Sequence, residues 1–318
     1  MIQNHNRIQF FPIMMFAIIM GLSGITITYQ KAHEILLLPS IISDILAIFT
    51  LGLFCIISVL YIAKMIKYPQ AVKKEFEHPI RVNFFASFSI SMILLSIVFK
   101  ELNPLLSAIL FYIGMFIHLF LTFHTISFWI NHNQEIAHSN PAWFIPIVGN
   151  ILIPIAGIGL VDHPILMFFF SIGIFFWIVL FAILFNRIIF HNQLAVKFMP
   201  TLFILIAPPA VGFISYYKLF GSLDPFALFL FSIALFFTLL IAFMYKSFIG
   251  IKFFISWWAF IFPLAAMTLA SLLMYDITHA PTIMFLSYTL IASTTLIIVI
   301  VIYQTIKNML QNEICIQE

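Results

Sequence analysis

Residues 141–185 read PAWFIPIVGNILIPIAGIGLVDHPILMFFFSIGIFFWIVLFAILF. Across this stretch the only fixed charge is Asp162. It is apolar for about twice the ~20 residues that cross a bilayer as a helix, and its halves differ. The first holds Pro146, Gly149, Pro154, Gly157 and Gly159; the second is Phe, Ile and Leu around a single Gly173. Asp162 and Pro164 separate them. Proline suits the first turn of a helix and an acid suits its positive end. The stretch therefore predicts a helical hairpin: a broken helix, a short polar turn and an unbroken apolar helix.

The same punctuation recurs along the chain. Glu34 precedes Pro39, Glu101 precedes Pro104, Asp224 precedes Pro225 and Asp276 precedes Pro281. Five such turns divide ten apolar runs, at 8–29, 36–66, 80–99, 105–130, 142–161, 164–190, 200–217, 225–245, 252–275 and 282–306. The second, fourth and sixth exceed one bilayer and are expected to tilt or project beyond it. The interiors of the odd runs hold Gly21, Gly24, Pro146, Gly149, Pro154, Gly157, Gly159, Pro208, Pro209, Gly212 and Pro263; the even interiors hold only Gly52, Gly114 and Gly173. Broken helices and small residues are tolerated where a helix packs on protein or lines a cavity, while bulky faces suit lipid. The expected fold is an all-α polytopic membrane protein of five hairpins. The odd helices form an inner ring, with kinks at Gly21, Pro146, Pro154, Pro208, Pro209 and Pro263, and the even helices lie outside. The third run is the exception, with Ser87, Ser89 and Ser91 in place of Gly or Pro.

Composition points the same way. The chain has 318 residues, 64% hydrophobic and 8% charged, against about 25% charged in soluble domains. That excludes a soluble enzyme, a disordered chain and a nucleic-acid binder. The long continuous runs are unlike the alternating segments of a membrane β-barrel. Two cysteines, Cys55 and Cys315, make no disulfide framework. The opening MIQNHNR leads into an apolar run without a small-residue cleavage site, so that run reads as a span and not a cleaved signal. Without a linker or a polar block of domain size, residues 1–318 form one membrane domain with a short start, 1–7, and a tail, 307–318. The side holding both ends carries Arg7, Lys64, Lys67, Lys73, Lys74, Arg81, Arg187, Lys197, Lys246, Lys252 and Lys307, eleven of the 14 Lys and Arg. The other side carries Lys31, Lys100 and Lys218. Positive charge collects on the cytoplasmic side, which places both termini there and requires an even number of spans.

The odd runs contain no Asp or Glu, and the only acid inside an even run is Asp44. Cation pathways show buried carboxylates. Here Arg7, Arg81, Lys197 and Lys252 flank the odd runs at their starts, and Lys31, Lys100 and Lys218 at their ends. The odd helices also point their positive dipole ends toward the cytoplasm. Both features attract anions, with Arg81, Lys197 and Lys252 at the cytoplasmic mouth; the competing reading is topological anchoring. Three polar groupings stand apart. Glu75, Glu77, His78 and Arg81 form a polar loop that reads as solvated, with local ion pairs. His118, His124 and Asp44 are the candidates for a proton relay, although the two histidines do not share a helix face. His132, Glu135 and His138 have a metal-like spacing without a second ligand pair. No enzyme motif, metal site or cofactor site is expected.

Four stretches carry a resemblance: EFEHPIRVNFF (75–85), PAWFIPIVGN (141–150), LIAPPAVG (205–212) and WWAFIFPLAAM (257–267). In this order and spacing the chain resembles the tellurite-resistance/dicarboxylate transporter family, which includes bacterial TehA and the plant guard-cell slow anion channels. The resemblance implies five hairpins around a quasi-fivefold pore, one pore per protomer, a homotrimer in the inner (plasma) membrane, and a phenylalanine of the ninth span plugging the pore. That residue corresponds to Phe262, beside Pro263; Phe260 would point elsewhere. The implied activity is passive conduction of small monovalent anions such as chloride and nitrate. The rival within the family is a proton-coupled carrier of C4-dicarboxylates such as malate, or of tellurite or sulfite.

Overall fold

The computed structural model describes residues 7–315. Ten apolar helical segments follow one another: α1 (Ile13–Leu36), α2 (Ser40–Lys67), α3 (Arg81–Val98), α4 (Pro104–Asn131), α5 (Pro141–Gly157), α6 (His163–Phe190), α7 (Val196–Phe220), α8 (Pro225–Phe243), α9 (Ile255–Thr278) and α10 (Pro281–Leu310). A short helix, Pro69–Phe76, links α2 to α3. Nine of the ten are long and apolar enough to cross a bilayer; α5 is the shorter one. Among the described residues the only β pairing is an isolated bridge between Ile158 and Val161.

Prolines explain why α5 falls short of the expected span. Pro146 and Pro154 are each the third residue of an α-helical piece, Phe144–Val148 and Leu152–Gly157, and 3-10 turns precede both pieces. A proline has no N–H to donate and fits only the first turn, so each one restarts the helix. Gly159 then turns the chain at φ +85°, a left-handed conformation that suits glycine. The last four residues of the run 142–161 are therefore turn and not helix.

The other odd helices share this plan. Each opens with a 3-10 segment and continues as α-helix. Ile13–Met15 leads to Phe16–Leu36, Arg81–Phe84 to Ala86–Val98, Val196–Leu205 to Ala207–Phe220, and Ile255–Phe260 to Ile261–Thr278. Pro208, Pro209 and Pro263 fall in the first turn of their α-helical parts. Gly21 lies inside the uninterrupted α-helical part of α1, Phe16–Leu36.

Burial separates odd from even. In the most apolar window of each helix, α1, α3, α7 and α9 bury 72%, 78%, 83% and 72% of positions, whereas α2, α4, α6, α8 and α10 bury 28%, 44%, 33%, 39% and 33%. All of Pro141–Val148 is buried in α5. Exposed Phe116, Phe120 and Phe123 on α4 recur at helical spacing, as do Phe175 and Ile178 on α6, which makes these faces lipid-facing. The odd helices contact one another in a closed circuit, α1 to α3 to α5 to α7 to α9 and back to α1, and each even helix packs on its own hairpin partner. The chain is a polytopic helical membrane protein.

Starts of the even helices show how the turns work. Pro104, Pro164, Pro225 and Pro281 occupy first-turn positions and Pro39 is the cap of α2. The acids are less uniform. Asp224 caps α8 by accepting from the Phe226 and Ala227 amides, both at 3.0 Å. At α4 the cap is Asn103, accepting from Leu106 N at 3.0 Å. Glu34 instead pairs with Lys31 at 2.5 Å.

Candidate functional site

Where the odd helices pass from 3-10 to α geometry, all five converge on one cavity of about 70 Å³. Ala17 and Met20 of α1, Phe84 and Ile90 of α3, Ile145 and Val148 of α5, Ala207 and Val211 of α7, and Phe262 and Pro263 of α9 line it, and no residue of an even helix does. No ionisable side chain faces it. Buried water needs two to four polar partners, so an apolar constriction of this size disfavours water and the ions that travel in it.

Three lining residues sit immediately before a helix-starting proline: Ile145, Ala207 and Phe262. Of these only Phe262 carries a large ring. Phe260, two residues earlier, is buried elsewhere and packs on Phe203 with ring centres 4.6 Å apart. Trp258 also reaches the cavity, and its indole Nε1 is fixed by donating to Thr305 Oγ1 of α10 at 3.1 Å. Small residues on α1 admit this face of α9. A Cβ on Gly24 would lie 3.0 Å from Ala265 Cβ and 3.4 Å from Phe262 Cδ2; one on Gly21 would lie 3.1 Å from Ile261 Cβ and from Trp258 Cε3. Gly21 thus serves close approach between helices.

Cations gather at both ends of the inner helices. At the entry end, where the odd helices begin, Arg81 opens α3, Lys197 lies in the first turn of α7 and Lys252 precedes α9. Lys197 and Lys252 are exposed and Arg81 is half-buried. Ser256 Oγ donates to Lys197 O at 2.6 Å and Trp257 Nε1 to Lys252 O at 3.2 Å, which anchors both backbones. His78 lies beside this cluster. Burial, then the positive charges of Arg81, His138 and Lys197, lower its pKa below the usual 6.5. Its Nδ1 accepts from the amides of Ile80 and Arg81 at 3.1 and 3.3 Å, so the neutral ring caps the start of α3. At the opposite end Lys31, Lys100 and Lys218 lie within electrostatic reach of one another, and Lys100 Nζ donates to Ile158 O at 3.0 Å.

A sequence model of the family described as SLAC1, voltage-dependent anion channel, matches residues 10–306 of this chain. The chain belongs to the SLAC1 family. It is 30% identical over 308 residues to the S-type anion channel SLAH2 of Arabidopsis thaliana, covering 94% of this chain and 59% of that protein. It is 29% identical over 287 residues to an uncharacterized transporter of Methanocaldococcus jannaschii, covering 82% and 84%. It is 26% identical over 259 residues to the tellurite resistance protein TehA homolog of Haemophilus influenzae, covering 79% and 77%. The chain spans about half to three-fifths of the plant relatives SLAH2 and SLAH3.

Elsewhere in this SLAC1-family chain the polar groupings take unexpected places. The loop 75–81 is not simply solvated, because Glu75 is buried and bonded to Lys64, Tyr61 and Ile13. His118 is fully buried between α3, α4 and α5, with Nδ1 2.9 Å from Ser89 Oγ and its ring against Gly149. His124 stacks on Phe76 with ring centres 4.4 Å apart. The two histidines thus belong to separate packing sites and assemble no relay with Asp44. His132 stacks on Phe128, and His138 lies 3.9 Å from Glu135. Sequence reasoning missed Phe84, Phe144 and Trp258 in the cavity wall. The usable signal for Ile145 and Ala207 was the residue–proline step that singles out Phe262.

Proposed function

We propose that this protein conducts small monovalent anions, of the chloride and nitrate class, passively through the central cavity, with Phe262 as its gate. One observation carries the reading: a single apolar cavity is lined by all five inner helices and by no outer helix. Its apolar wall with one half-buried ring is the form of a hydrophobic gate. Basic residues at both ends concentrate anions, and the absence of carboxylates in the lining leaves nothing that favours cations. Arg81, Lys197 and Lys252 form the cytoplasmic mouth. Both termini lie in the cytoplasm, the protein resides in the inner (plasma) membrane, and it assembles as a homotrimer with one pore per protomer; the loop-charge asymmetry supports the orientation and the family supports the rest. The names of the plant relatives, S-type anion channels, support the substrate class.

The test is reversal potential in planar bilayers holding the purified protein. Under chloride or nitrate gradients the current is expected to reverse near the anion's equilibrium potential. With symmetrical chloride and a one-unit pH gradient it is expected to reverse near zero, since no titratable side chain lines the cavity. A shift of tens of millivolts with the pH gradient, together with malate current, replaces this reading with the proton-coupled dicarboxylate carrier.

A further inference from the structure

Among the described residues, Glu75 is the one buried acid. Its Oε1 accepts from Ile13 N at 2.8 Å, and its Oε2 accepts from Tyr61 OH at 3.1 Å and Lys64 Nζ at 2.6 Å. Lys64 Nζ also donates to Phe11 O at 2.8 Å. Both side chains of the ion pair are nearly inaccessible, at 3% and 4% exposure. A buried ion pair persists only where its remaining hydrogen-bonding capacity is also met, and here backbone groups at the start of α1 meet it. One carboxylate, on the linker helix that leads into α3, thus holds the first turn of α1 against the end of α2.

What α1 does with that anchorage is visible further along it. The bonded amide of Ile13 lies eleven residues before Gly24, about 16 Å along a helix. Gly24 is where α1 meets Phe262 and Ala265, and Thr28, one turn on, places its Oγ1 3.5 Å from Ala265 O. α1 is continuous α-helix from Phe16 to Leu36, so a displacement at its start is carried to the Phe262 contact. Packed interfaces rearrange between discrete positions and do not deform smoothly.

We infer that Glu75 is a positioning residue for the gate: with Lys64 and Tyr61 it fixes the height of α1 against α9, and so holds the Phe262 ring in the cavity. The inference rests on the reading of Phe262 as the gate. Loss of the Glu75 contacts frees the start of α1, relaxes the Gly24–Phe262 contact and lets the ring leave the axis.

The experiment is a cycle of four proteins in planar bilayers: wild type, Glu75→Gln, Phe262→Ala and the double variant. Glu75→Gln is expected to raise chloride conductance severalfold, and to add nothing once Phe262 is alanine. Tyr61→Phe removes one bond and spares the ion pair, so a smaller rise is expected. Glu75→Gln combined with Lys64→Met removes both members of the pair, and serves if the single variant fails to assemble. An effect of Glu75→Gln that persists undiminished in the Phe262→Ala background, or no effect in any latch variant, overturns the inference while leaving the gate intact. A Phe262→Ala variant with wild-type conductance overturns the gate itself, and this inference with it.

Discussion

At the scale of single residues, two phenylalanines two positions apart give opposite predictions. Phe262 lines the central cavity and is half-buried; Phe260 is buried among Phe203, Phe248 and Trp257. Phe262→Ala is expected to raise single-pore chloride conductance manyfold while costing little stability, because its ring already borders empty space. Phe260→Ala is expected to do the reverse. It should leave conductance near wild type and cost about 3–5 kcal/mol, the usual loss for a buried phenylalanine. Conductance recordings and thermal unfolding in detergent read the two effects separately, and equal conductance in wild type and Phe262→Ala would sink the gate. How much of this was legible varies by residue. Among 40 phenylalanines, Phe262 stood out only through the family resemblance and its neighbouring proline. Glu75 was not legible at all. Its sequence neighbours Lys73, Lys74 and Glu77 read as a solvated run, and its partners lie 11, 14 and 62 positions away.

At the scale of elements, the inner and outer helices were legible because Gly and Pro act locally while lipid-facing bulk is a matter of composition. What could not be read was the use each glycine serves. Gly173 and Gly52 both sit in even helices, yet their surroundings are opposite. A Cβ on Gly173 would fall 2.3 Å from Ile151 Cγ1 and 3.0 Å from Ile151 N, the backbone of α5; one on Gly52 would meet nothing within 4 Å. The broken α5 has little freedom to retreat, since Thr122 of α4 donates to Pro146 O at 2.7 Å and accepts from Asn150 Nδ2 at 2.9 Å. Those bonds tie the first piece of α5 and the 3-10 turn after it to α4. Gly173→Ala is therefore expected to destabilise by about 1–3 kcal/mol, the cost of overpacking. Gly52→Ala is expected to be neutral or to gain about 0.5–1 kcal/mol from its helix preference. Thermal shift of the two variants side by side checks this; similar values for both would mean that α5 and α6 separate more readily than their packing implies.

At the scale of the whole molecule, the charge tally behind the proposed orientation and the charges proposed to attract anions are not the same set of residues. Two of the eleven cations on the terminal side are buried: Lys64 in the Glu75 pair, and Arg187, which donates to Asn192 O. They count toward topology and contribute little to an aqueous mouth. Arg81, Lys197 and Lys252 differ, because each stands where an inner helix begins. Their charges add to the positive ends of those helices; burial first, and then Arg81 and Lys197 among nearby charges, lower the pKa of His78 beside them. Replacing all three by Gln is expected to lower anion current severalfold at about 10 mM salt, where fields reach ~30 Å, and to have almost no effect near 1 M, where they reach only ~3 Å. The three opposite lysines make a poor control, because Lys100 also holds the end of α5 through Ile158 O. Exposed Lys307, in the last turn of the outer helix α10, is the better one. Current through the triple variant that matches wild type at every salt concentration would assign Arg81, Lys197 and Lys252 to topology alone, and leave the helix dipoles as the source of the field at that mouth.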